Sequence, residues 1–230
     1  MRILALETST EYCSVALWQD GEVSARSELV GQKHSEVLIP MLDALLHAAQ
    51  VTLRQIDGIA FGAGPGSFTG VRIACGVAQG LGLGASLPVV GVCTLQALAQ
   101  ASGRDKVIAA LDARMAEVYH AAYENRDGLW LAVHEPSLRL PQDAPALAGD
   151  GWFGAGSGFI AHGASLRERY AANLAEIDAE AVPHARAIAQ LAAVLFAAGQ
   201  GQDAADALPL YLRNNVALKT SERENQANAR

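Results

Sequence analysis

The chain has 230 residues, 51% hydrophobic, 6% aromatic and 18% charged, with 24 acidic against 17 basic side chains. That length fits one large domain or two small lobes and can bury a core without a disulfide or metal staple; the apolar share, heavy in Ala, excludes disorder. The formal net charge of −7 argues against stand-alone nucleic-acid binding, which needs a concentrated basic face.

The opening reads as a meander. Arg2–Glu7 is a short apolar strand, and Tyr12–Gln19 alternates after the turn Thr8-Ser9-Thr10-Glu11. Asp20-Gly21 then supplies a tight hairpin before Glu22–Leu29. Val37, Leu38, Met41, Leu42, Leu45, Leu46 and Ala49 recur at helical spacing behind an N-cap expected at Ser35. Ile56–Phe61 reads as a buried strand, Gly62–Gly70 as a glycine-rich loop and Val71 to about Ala85 as a second helix. Leu87–Cys93 and Leu95–Ala101 follow as strand and helix. The second half begins in the same way, with strands at Lys106–Leu111, Glu117–Tyr123 and Leu129–His134. It then passes through a glycine-dense stretch, Gly149–Gly163, to a clear helix at Ala185–Ala198. A strand-strand-strand-helix order that occurs twice implies two related lobes, placed at residues 1–103 and 104–215, with a polar tail over 216–230. The second-lobe helix near 185–198 is expected to be able to pack back on the first lobe.

Charge is unevenly placed. Between Gly58 and Gly103 the only Asp, Glu, Lys or Arg is Arg72. Gly, Pro and polar residues interrupt every apolar run there before it could span a membrane, so the stretch is buried against the chain or a partner. Cys13, Cys75 and Cys93 form no C-x-x-C, and an acid at residue 7 interrupts any signal-peptide core. Both features suggest a cytoplasmic protein with free thiols and no membrane association.

The loop Gly62–Gly70 leaves a strand and opens a helix, a place where backbone amides attract anions. It lacks the Lys of a Walker A loop, and Pro65 excludes a nucleophile elbow around Ser67. It reads either as an anion site or as a tight turn capped by Ser67 or Thr69. Gly76, Gly80 and Gly84 form an i, i+4 stripe. Each costs about 1 kcal/mol against Ala in a helix, so the stripe implies close packing on the protein's own sheet or, as favoured here, on another subunit. The residues expected at that interface are Val37, Met41, Leu45, Val71, Gly76, Gly80 and Gly84. His34-Ser35-Glu36 cannot form a catalytic chain, because three consecutive residues point apart. The six histidines supply no H-x-x-x-H, so no local helical metal site is expected. Gly149–Gly154 matches G-x-G-x-x-G without a preceding strand and reads as a turn cluster.

Taken together and in order, Ile3–Ser9, His34-Ser35-Glu36, the run Gly64–Arg72 (GPGSFTGVR), Asp112-Ala113-Arg114 with Tyr119, and Pro209–Arg213 resemble the TsaB (YeaZ) family. The resemblance reaches from the start to about Arg213. It implies an α/β actin/Hsp70/sugar-kinase-like (ribonuclease H-like) fold, in which mixed sheets flanked by helices form two lobes. Positions that face a nucleotide in that superfamily fall here on Glu7–Thr10 and Asp112–Arg114. Candidate nucleotide- or anion-binding residues are therefore Glu7, Thr8, Ser9, Gly64, Gly66, Ser67 and Asp112. The family usually has Asp where this chain has Glu7. The paralogous catalytic family, TsaD, holds its metal with an H-x-x-x-H, whose places fall on Thr94 and Leu98.

The resemblance thus implies a non-catalytic accessory subunit of tRNA N6-threonylcarbamoyladenosine synthesis, with no cofactor of its own. Its partners would be TsaD, as a heterodimer through the first-lobe helices, and the ATPase TsaE; a homodimer would use the same helices, and tRNA would be met only through the complex. Two other readings are an ATP-dependent phosphotransferase on the same fold and, least favoured, a peptidase.

Overall fold

The structure, a computed structural model, describes residues 1–213; the tail expected over 216–230 lies outside them. The first sheet holds β1 (Arg2–Glu7), β2 (Tyr12–Gln19), β3 (Glu22–Leu29), β4 (Gly58–Gly64) and β5 (Val89–Cys93), in the order β3-β2-β1-β4-β5. The second holds β6 (Lys106–Asp112), β7 (Val118–Arg126), β8 (Leu129–Arg139), β9 (Trp152–Ala155) and β10 (Leu174–Asp178), in the order β10-β9-β6-β7-β8. Read from β8, this is the same path. In each sheet three strands form an antiparallel meander, and the first of them runs parallel to the fourth. The chain therefore has the two-lobed architecture of mixed, helix-flanked sheets that the repeated strand order implied.

The helices are α1 (His34–Ala48), α2 (Phe68–Ala85), α3 (Thr94–Ser102), α4 (Gly158–Ala161), α5 (Gly163–Arg169) and α6 (Ala185–Ala197). The repeat is complete in strands and eroded in helices. Where the first lobe has α1, the second has only a single helical turn at Pro141–Asp143, and α4 with α5 stand in place of the long α2. The glycine-dense stretch is not merely a turn cluster, since Gly149-Asp150-Gly151 leads into β9, a short strand buried throughout. At α1 the expected Ser35 cap is replaced by Lys33, which makes no side-chain cap hydrogen bond.

Both faces of the first sheet are covered. Leu38, Met41, Leu42 and Leu45 of α1, with Ala74, Cys75 and Ala78 of α2, pack on Leu4, Leu6, Val15 and Phe61. The opposite face, with Ile3, Ala5 and Ala60, takes α6 through Ile188, Leu191 and Ala192. Leu95, Leu98 and Ala99 of α3 pack instead on Val107, Ala109 and Ala121 of the second sheet. Each lobe thus contributes a helix to the other's sheet, and the packing does not divide at residue 103. Among the described residues no helix is long and apolar enough to cross a membrane.

Candidate functional site

The turn after β1 is closed into the protein. Glu7, Thr8 and Ser9 are all buried. One Glu7 carboxyl oxygen accepts from the Ser9 amide, while Oε2 is buried against Gly62 with no hydrogen-bond partner. Burial raises the carboxyl's pKa above its ordinary value, opposed only in part by those Ser9 contacts. Thr8 Oγ1 donates to the Gly70 carbonyl at 2.7 Å, and the Ser67 amide donates to the Ser9 carbonyl at 2.7 Å. The loop glycines permit this contact between segments. A Cβ at Gly62 would fall inside the Glu7 carboxyl, at Gly66 it would meet the Ser9 carbonyl at 2.7 Å, and at Gly70 it would strike the Thr8 carbonyl. Gly64 has φ +104° and lies beneath Leu210.

Beside the loop glycines the chain packs against itself. The space that the glycines leave holds the chain's own turn, and Ser67, expected at an anion site, uses its amide on Ser9 and its hydroxyl to accept from the Gly70 amide. Asp112 is likewise engaged. Its Oδ1 accepts from the Arg114 amide at 2.9 Å, its Oδ2 pairs with the Arg114 guanidinium at 3.1 Å, and His162 Nε2 lies 3.5 Å from Oδ1. The candidate set Glu7, Thr8, Ser9, Gly64, Gly66, Ser67 and Asp112 thus falls on two turns that bond mainly to the chain itself, with Glu7 Oε2 and Ser9 Oγ buried and without a partner among the described residues.

A strap joins the two turns. The Ala207 carbonyl accepts from Gln79 Nε2 on α2, and the Leu210 amide donates to the Ala63 carbonyl at the end of β4. Arg213 then reaches the second lobe, donating to the Ala113 carbonyl at 3.1 Å and pairing with Glu117 at 2.6 Å. The turn it holds has three consecutive non-glycine residues at positive φ: Arg114, Met115 and Ala116. Such backbone costs roughly 1–2 kcal/mol per residue, so surrounding contacts must maintain it. Pro209–Arg213 stood out as a motif, but nothing in the sequence reveals the contacts, which join residues about a hundred positions apart.

The outer face of α2 is open. Gly76, Gly80 and Gly84 are exposed, and among the described residues a Cβ at any of them would meet nothing within 4 Å. Close packing within the chain falls instead to Gly70, against the Thr8 carbonyl of the turn after β1, and to Gly82, against Val89 of β5 and Ala204. The expected interface set separates accordingly. Met41, Leu45 and Val71 are buried within the chain and Val37 is half-buried against the same core, because the apolar face that periodicity picks out is the one that covers the sheet. The outward residues of α1 are Ser35, Glu36, Ile39, Pro40, Asp43 and His47. Phe68, Arg72 and Leu83 share the exposed side of α2 with the glycines.

Thr94 and Leu98, where the resemblance placed a metal-ligand pair in the paralogous family, are used here for packing. Thr94 is buried and its hydroxyl donates to the Pro65 carbonyl, while Leu98 lies in the α3 core. Among the described residues no group of three or more His, Cys, Asp or Glu is placed to hold a metal ion. His34 is buried, with Nε2 3.2 Å from the Tyr12 carbonyl, and joins α1 to β2.

Known proteins resemble this chain in sequence and fold. A family model described as TsaD, tRNA N6-adenosine threonylcarbamoyltransferase, matches residues 26–139. A solved structure of YeaZ from Pseudomonas aeruginosa superposes with a TM-score of 0.82 at 41% identity, covering 92% of this chain and 99% of that one. The tRNA threonylcarbamoyladenosine biosynthesis protein TsaB of Haemophilus influenzae is 38% identical over 95% of this chain and 96% of its own length. That of Escherichia coli is 42% identical over 95% of this chain and 97% of its own. Similarity over nearly the whole of both chains, with the same fold, places this chain in the TsaB family of tRNA threonylcarbamoyladenosine biosynthesis proteins.

Proposed function

We propose that the chain serves tRNA N6-threonylcarbamoyladenosine synthesis as a non-catalytic scaffold, pairing with a TsaD paralogue and acting alongside the ATPase TsaE. The observation that carries the pairing is the open glycine stripe. Among the described residues Gly76, Gly80 and Gly84 touch nothing that requires glycine, yet each costs helix stability. Close approach of a second helix accounts for all three, as small residues do wherever helix backbones meet at short range. The docking helices belong to the first lobe, taken as residues 1–103, since the second (104–215) has no counterpart of α1. The scaffold reading is supported by Thr94 and Leu98, neither of which can replace an imidazole on a metal. The net charge of −7 favours contact with tRNA through the complex, in the cytoplasm, and the same helices offer a homodimer surface when the paralogue is absent.

Co-expression with the TsaD paralogue of the same organism tests the pairing. The two co-elute at micromolar concentration, and Gly80→Leu abolishes co-elution while the variant alone keeps its circular dichroism and melting temperature. Separate elution of the parent proteins overturns the reading; co-elution of the variant removes the stripe from it.

A further inference from the structure

Arg72 heads the glycine stripe, one helical step before Gly76 at the same i, i+4 spacing. It is exposed, and its guanidinium lies over the Phe68 ring, 3.2 Å from the centroid, and 5.1 Å from that of Tyr211 on the strap. The two half-exposed rings are themselves 6.5 Å apart. Stacking holds a guanidinium by its flat faces and leaves its N–H edge free to donate, two bonds at a time, to a planar acceptor. Among the described residues Arg72 has no ion pair, although the chain carries seven more acids than bases. It is also the only Asp, Glu, Lys or Arg between Gly58 and Gly103. A helix packed on the stripe would cover this guanidinium, and a covered arginine without an acceptor carries a heavy desolvation cost.

We propose that Phe68, Arg72 and Tyr211 form a socket for a carboxylate side chain on the protein that docks on α2, and that this contact sets partner choice. The inference rests on the pairing proposed above and names the chemistry that the partner must present. Because the chain is acidic, an acidic group on the partner is repelled except where a positioned cation meets it, so the socket also fixes the register of the two helices. Lysine is a poor substitute, since a compact ammonium neither stacks in the same way nor donates a planar pair of bonds.

Calorimetric titration of the full chain with the TsaD paralogue, at low and high salt, tests the socket. Arg72→Ala is expected to weaken binding by about tenfold or more, as interface arginines in aromatic surroundings do. Arg72→Lys should recover little of the loss, and the salt dependence of affinity should shrink in both variants. Tyr211→Ala should lower affinity less. Because Arg72 is exposed, Arg72→Ala should melt within a few degrees of the parent. Binding of Arg72→Ala within about twofold of the parent, a change far below the interface scale, overturns the proposal while leaving the pairing intact. So does Arg72-dependent binding of inorganic phosphate or ATP to the chain alone with pairing unchanged, which would make the socket a small-anion site. Failure of the parent proteins to bind one another removes both proposals.

Discussion

Glu7 occupies the tightest place in the first lobe, with one carboxyl oxygen against Gly62 and no partner for it. Burial raises its pKa above the ordinary 4.5, so the folded protein retains a proton that the unfolded chain releases. The stabilisation is therefore fully present below pH 4.5 and is lost as pH rises through the folded value. Glu7→Gln keeps the shape and removes the titration. Its melting temperature should match the parent's most closely below pH 4.5 and exceed it increasingly as pH rises toward the folded value, beyond which the gap levels off. Parallel melting curves for the two proteins across that range would show that Glu7 carries no such cost.

At the scale of the element, α2 contains glycines of two kinds, and their substitution has opposite signs. Gly80→Ala adds a methyl to open space and removes a helix penalty, so the isolated chain should gain about 1 kcal/mol, or roughly 2–4 °C in melting temperature at this size. Gly70→Ala drives a Cβ into the Thr8 carbonyl; backbone cannot yield as a side-chain tip can, and the loss should be about 1–3 kcal/mol. Thermal melts of the two variants check both signs. Spacing alone made the stripe legible, but not its direction, because Gly70 and Gly82 are required by contacts with residues distant along the chain. The same limit governs the strands. β1 to β3 could be read to their ends, since apolar runs, alternation and Asp20-Gly21 delimit them locally. β9 could not, because four buried residues after a glycine cluster carry no period, and β10 exposes Ala175, Glu176 and Asp178 on a five-residue strand. Of the candidate site, the stripe and Arg72's isolation were visible in sequence. The burial of Met41, Leu45 and Val71 was not, for a helix pattern marks an apolar face without saying what covers it.

At the scale of the whole molecule the lobes are tied three ways, through α3 on the second sheet, α6 on the first, and the strap that ends at Arg213. Only the strap also touches the outer face of α2, where Tyr211 packs near Phe68 and Arg72. A partner seated on α2, as proposed above, would press on a segment whose next contact is the positive-φ turn at Arg114–Ala116. Arg213 maintains that turn with a largely shielded ion pair to Glu117 and a hydrogen bond to Ala113. Removing it by Arg213→Ala should cost about 1.5–3 kcal/mol, the range for hydrogen bonds to charged groups. The loss should concentrate at the join between lobes, not in the cores, because α3 and α6 stay in place. Amide hydrogen exchange locates it. Residues 113–117 and 207–212 should exchange faster in the variant, with β1 and β6 unchanged. Uniform acceleration over both sheets would show that Arg213 supports global stability and not this one junction, and unchanged exchange at 113–117 would show that Asp112 and the backbone bonds hold the turn unaided.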